Sequence, residues 1–167
     1  MTPMPAQRSK LTLTTAAFAV TFVALGSASA LVGGDVESNA WYQTLTLPRL
    51  QPPGALFGIA WTILYSLMGA AVARLWLSPK TSARTLALWL FALQFCLNLG
   101  WNPLFFAGQQ IFPALLLLLA IYAAALATTL AAGRVDRPAA WMLVPYLVWL
   151  GFAFGLNWRI WMANPGA

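Results

Sequence analysis

Five apolar stretches, each long enough to cross a bilayer, leave this chain almost no sequence from which to build anything else. A hydrocarbon core of ~30 Å needs about 20 helical residues. The stretches lie at Leu11–Val32, Gly54–Leu77, Thr85–Ala107, Pro113–Ala132 and Ala139–Trp158. Only 7% of the 167 residues are charged, against roughly 25% in soluble domains. The connections are short except for residues 33–53, so no room remains for a soluble domain. In lipid every backbone polar group must be satisfied internally. The expected fold is therefore an all-α membrane protein: one transmembrane domain over residues 1–167, a five-transmembrane-helix bundle with the 33–53 loop covering one end.

The net charge of +6 would suggest nucleic acid in a soluble protein, but here the cations stand at helix ends and report topology. Seven of the nine (Arg8, Lys10, Arg74, Lys80, Arg84, Arg134 and Arg137) fall at the N-terminus and in the second and fourth connections. Only Arg49 and Arg159 fall on the other side. By the positive-inside rule the N-terminus is cytoplasmic, and the 33–53 loop and C-terminus face out of what is read as a bacterial inner (cell) membrane. Arg8, Lys10 and Ala28-Ser29-Ala30 also outline a signal peptide with its cleavage site. The apolar stretch runs on to Val32, which is long for such a segment.

Chemistry is limited by what is missing. There is no histidine, hence no usual general base or metal ligand. The three acids, Asp35, Glu37 and Asp136, all lie in connections, so a proton relay lacks its intramembrane carboxylate. The single Cys96 cannot form an internal disulfide. No acid–base catalytic residue, metal site or required cofactor is expected.

The third span carries the polar signal. Gln94, Asn98 and Asn102 recur every four residues and share one helical face with Trp101 and Phe105. Three amides cannot point at lipid, where each unpaired polar group costs several kcal/mol. They face either a cavity or neighbouring helices. Ala92, Cys96 and Gly100 form a smooth opposite face suited to close approach by another helix or a second subunit. Pro103 should kink or end the regular helix, with Asn102 available to satisfy the backbone groups it frees.

Elsewhere, Trp61 and Tyr65 stand four apart in the second span, and Gly69 and Ala73 give it a small-residue edge. In the fifth span Trp149, Ala153 and Asn157 share a face, while Trp141 and Trp158 suit interfacial anchors. The first and fourth spans are plain. The long loop, with Trp41-Tyr42 and Leu47-Pro48-Arg49-Leu50-Gln51-Pro52-Pro53, reads as a lid.

Taken in order, Trp41-Tyr42, Pro48, Pro52-Pro53, Phe57, Trp61-Thr-Ile-Leu-Tyr65, Gln94-x3-Asn98-x2-Trp101, Phe105-Phe106 and Pro145-Tyr146-x2-Trp149-x2-Phe152-Ala153-x2-Leu156-Asn157 resemble the translocator protein family. Its members are also called tryptophan-rich sensory proteins or peripheral-type benzodiazepine receptors. The resemblance runs from about Trp41 to Trp161. It implies a five-helix bundle, often a homodimer, with a pocket at the loop-covered end for tetrapyrroles such as protoporphyrin IX, sterols or isoquinoline carboxamides. Carried over by motif, the pocket residues are Tyr42, Pro48, Trp61, Tyr65, Asn98, Trp149 and Ala153, with Trp101, Asn102 and Phe105 beside them. Arg49 would pair a porphyrin propionate. Without histidine, metal-free porphyrin is favoured over haem. Some members promote light-dependent porphyrin breakdown; here Trp61 and Trp149 would be the photochemical residues.

Two departures stand out. Where animal members carry a sterol motif, Trp158 replaces its tyrosine and Met162 its arginine, which argues against sterol binding. Leu47 and Leu50 replace the lysine and tryptophan that often flank Pro48. Three roles follow from these readings: a tetrapyrrole binder with a sensory, regulatory or transport function, a photochemical enzyme, or a structural protein whose aromatics only pack.

Overall fold

The computed structural model describes residues 5–33 and 39–166, and places five long apolar helices side by side. They are α1 (Pro5–Gly33), α3 (Gly54–Leu77), α4 (Ser82–Asn102), α5 (Ile111–Gly133) and α6 (Arg137–Ala163), with a short α2 (Ala40–Thr44) in the long loop. Each expected span lies within one of these helices or, for the third, within α4 and the turn after it, and α1 begins six residues before Leu11. Helix α6 runs five residues past Trp158, because nothing breaks it before Asn164-Pro165. As expected from Pro103, the third span is not one regular helix: α4 stops at Asn102 and a π-helical turn, Pro103–Ala107, follows. The loop read as a lid holds α2, started by the Asn39 side chain, which accepts from the Tyr42 N–H at 2.9 Å. Asp35 and Glu37 lie outside the described residues.

Packing closes the helices into a ring in the order α1, α3, α6, α5, α4. Large apolar side chains such as Leu116, Leu119, Leu130 and Val148 point outward, as a lipid-facing surface requires. Helices α1 and α3 approach closely at Gly69, where a Cβ would strike the Ala19 backbone within 3 Å. The small-residue edge of the second span is thus the seat of α1.

The ends are closed by polar side chains. Thr81 caps α4 by accepting from the Arg84 N–H. Arg84 in turn donates to the Leu75 and Trp76 carbonyls at the end of α3, the first of which also accepts from the Ser78 N–H. Asp136, at the start of α6, pairs with Arg74 at 2.7 and 3.2 Å and ties that turn to α3. These groups gather at the end opposite the long loop.

Pro103 lacks an N–H, so the Leu99 carbonyl four residues earlier loses its helical donor. Asn102 was expected to compensate and does not. The donor is Ser29 on α1, whose hydroxyl reaches the Leu99 oxygen at 2.6 Å. The turn itself closes with Gly108 N–H on the Pro103 carbonyl, one residue wider than an α-turn.

Candidate functional site: a cavity beneath the long loop

A cavity of about 590 Å³ lies inside the ring, and all five long helices line it. Two tryptophans dominate its wall. Trp61 stacks on Tyr65, with ring centroids 5.1 Å apart and planes 28° apart. Trp149 meets Trp61 edge-on at 6.3 Å and 80°. Phe57 meets Trp149 edge-on at 5.7 Å. Trp61, Trp149 and Phe57 all line the cavity.

Of the pocket residues expected from sequence, Tyr42, Trp61, Tyr65, Asn98, Trp101, Asn102, Phe105, Trp149 and Ala153 come together on this cavity. Pro48 and Arg49 do not line it. The reason is local. The Gln51 N–H bonds the Pro48 carbonyl at 2.9 Å, closing a turn with Arg49 and Leu50 at its tip. That turn sends Arg49 to the surface and brings Gln51 inward instead.

The amide stripe of α4 splits by role. Gln94 is 1% exposed and lies off the cavity, its Oε1 without a partner. Asn98 does both things the sequence left open: it lines the cavity and joins helices. Its Oδ1 accepts from the Tyr65 hydroxyl at 2.9 Å, and its Nδ2 donates to the Tyr146 hydroxyl at 3.2 Å. Asn102 is half-buried on the cavity wall. Trp101 stacks on Phe105 at 4.9 Å and donates from Nε1 to the Ala114 carbonyl. On the opposite face, Ala92, Cys96 and Gly100 are exposed on the outside of the single chain.

The lid is held at two places. Tyr42 and Leu45 pack on Phe105, Phe106, Ile111 and Ile160. Asn164, just past α6, clasps Thr46: its Oδ1 accepts from the Thr46 N–H at 2.8 Å and its Nδ2 donates to the Thr46 carbonyl at 3.1 Å. Burial pushes the Tyr42 phenol up to about 12, and the facing Gln51 side chain draws it partly back.

Several lining residues escaped the sequence reading. Gly26 on α1 is needed because a Cβ there would enter the Tyr65 ring. Nothing in the plain first span marks that glycine from its neighbours. Asn157 was seen to share a face with Trp149 but was not counted in the pocket; it lines the cavity and is 2% exposed. Trp158, one residue on, is 45% exposed and faces away.

Comparison with known proteins gives a consistent picture. The model of the TspO/MBR family matches residues 17–162. Protein CrtK of Rhodobacter capsulatus is 36% identical over 150 residues, covering 89% of this chain and 93% of that protein. Tryptophan-rich protein TspO of Chlorobaculum tepidum is 40% identical over 126 residues, covering 75% and 80%. The human Translocator protein is 39% identical over 132 residues, covering 78% of each.

Proposed function

We propose that this chain, which belongs to the TspO/MBR family of integral membrane proteins, binds a metal-free tetrapyrrole of the porphyrin class in the cavity beneath its long loop. The observation that carries the reading is the wall itself. Trp61, Trp149 and Phe57 present aromatic surface at right angles around about 590 Å³, within the roughly 300–1,000 Å³ of small-molecule sites. Each ring contact with a flat macrocycle adds roughly 0.5–1.5 kcal/mol beyond burial. The role served is sensory, regulatory or transport. The membrane is the bacterial inner membrane with the N-terminus cytoplasmic, since the cations of the α3–α4 and α5–α6 turns gather at one end. The exposed Ala92, Cys96 and Gly100 face is the proposed homodimer interface.

The test is a protoporphyrin IX titration of purified protein, followed by quenching of tryptophan fluorescence. Trp149→Leu and Trp61→Leu should each weaken binding about threefold to tenfold, and Trp158→Leu, facing away, should not. Equal affinity in all three variants returns the aromatics to packing alone. One observation favours a second reading, light-dependent porphyrin breakdown: Trp149, Trp61 and Tyr65 form an unbroken chain of oxidisable rings. Product analysis in light and in darkness separates the two.

A further inference from the structure

Asn157 sits on the cavity wall with both polar atoms idle. It is 2% exposed, and neither its Oδ1 nor its Nδ2 has a hydrogen-bond partner among the described residues. Gln51, in the loop, also leaves one atom on the wall idle, its Oε1, whereas Asn157 leaves both. Asn98 engages both ends with Tyr65 and Tyr146, and Asn102 is only half-buried. A closed-off primary amide in a membrane-spanning helix is expensive, because nothing apolar replaces its two lost hydrogen bonds. Rotation about the asparagine Cβ–Cγ bond is soft, so the amide can turn to a guest beside it.

Two more observations define that guest. No charged side chain among the described residues lines the cavity, and the charged residues outside them, Asp35 and Glu37, are acids. A buried carboxylate would find no countercharge there. The Trp149 indole N–H is also closed off and without a partner, eight residues and so about 12 Å up the same helix.

From these we infer that Asn157 is a specificity-determining ligand contact. Its carboxamide reads a neutral group with a donor and an acceptor side by side, a primary amide or lactam, on the edge of the bound ligand. Free carboxylates are thereby kept out of this part of the cavity, and Trp149 supplies a second donor to an acceptor farther along. The inference rests on the tetrapyrrole reading above.

Two porphyrins differing only at the carboxyl derivative test it: protoporphyrin IX dimethyl ester and protoporphyrin IX bis-carboxamide. Both are titrated into the purified full chain by tryptophan quenching. The wild type should bind the bis-carboxamide about threefold to tenfold more tightly than the ester, the worth of one ordinary hydrogen bond. Asn157→Leu should abolish that preference, lowering bis-carboxamide affinity more than ester affinity, since an ester carbonyl can accept from Asn157 but cannot donate to it. Because the variant removes an unpaired buried amide, its ligand-free melting temperature should equal or exceed that of the wild type. An amide-to-ester ratio of one in the wild type, or an unchanged ratio in the variant, overturns the assignment. So does a variant that melts earlier or does not fold, since the amide would then be structural. Failure of the tetrapyrrole reading looks different: neither porphyrin quenches the wild type, and both inferences go together.

Discussion

Replacing Ser29 with alanine removes one hydroxyl and tests why α1 stands where it does. Ser29 is 8% exposed, and its Oγ donates at 2.6 Å to the Leu99 carbonyl, whose helical donor is missing because residue 103 is proline. Without Ser29 that carbonyl is stranded in an apolar interface, a loss of about 1–3 kcal/mol. Hydrogen bonds between membrane helices average about 0.6 and reach about 1.7 kcal/mol. A destabilisation of about 1–2 kcal/mol is therefore expected. The assay is equilibrium unfolding in mixed micelles with increasing SDS, run as a double-mutant cycle with Pro103→Ala. Alanine at 103 returns an N–H four residues from Leu99, so its carbonyl no longer needs the serine. Ser29→Ala should then cost little, giving a coupling energy of about 1 kcal/mol. The same loss in both backgrounds would refute the idea that proline and serine form one unit.

Asn98→Leu breaks bonds to two buried tyrosines, so stability should fall by about 1–3 kcal/mol in the same assay, while porphyrin affinity per folded molecule stays within about threefold. Asn164→Ala opens the clasp on Thr46; stopped-flow quenching should record faster porphyrin entry and exit with a smaller change in affinity. Gly100→Leu places bulk on the outer face of α4 and should convert dimer to monomer on size exclusion in detergent, with unchanged helicity; a persistent dimer moves the interface elsewhere. Tyr42 titrates near 12 when the loop is docked against an ordinary value of 10.0. The neutral phenol's contribution is therefore full below pH 10 and lost as pH rises to about 12, so a cysteine placed at the buried Leu45 should be labelled slowly below pH 10 and rapidly as pH rises through that window.

The five spans were legible from length and hydropathy alone, because a bilayer leaves a long apolar segment little choice but helix. The inward faces of α4 and α6 were legible as well, since amides and tryptophans at helical spacing cannot all face lipid. The pairing of elements distant in sequence was not. The ring order, with α3 beside α6, comes from packing rather than from connection lengths. Ser29 and Leu99 are 70 residues apart, and only the docking of α1 on α4 makes the serine the proline's remedy. Arg49 looked like the cation at the mouth, yet one backbone bond from Gln51 to Pro48 turned it outward. Periodicity along a helix is a local property and shows itself in one strand of text. Which face meets which helix, and which orphaned polar group finds a partner, depends on close packing between segments that the sequence keeps far apart.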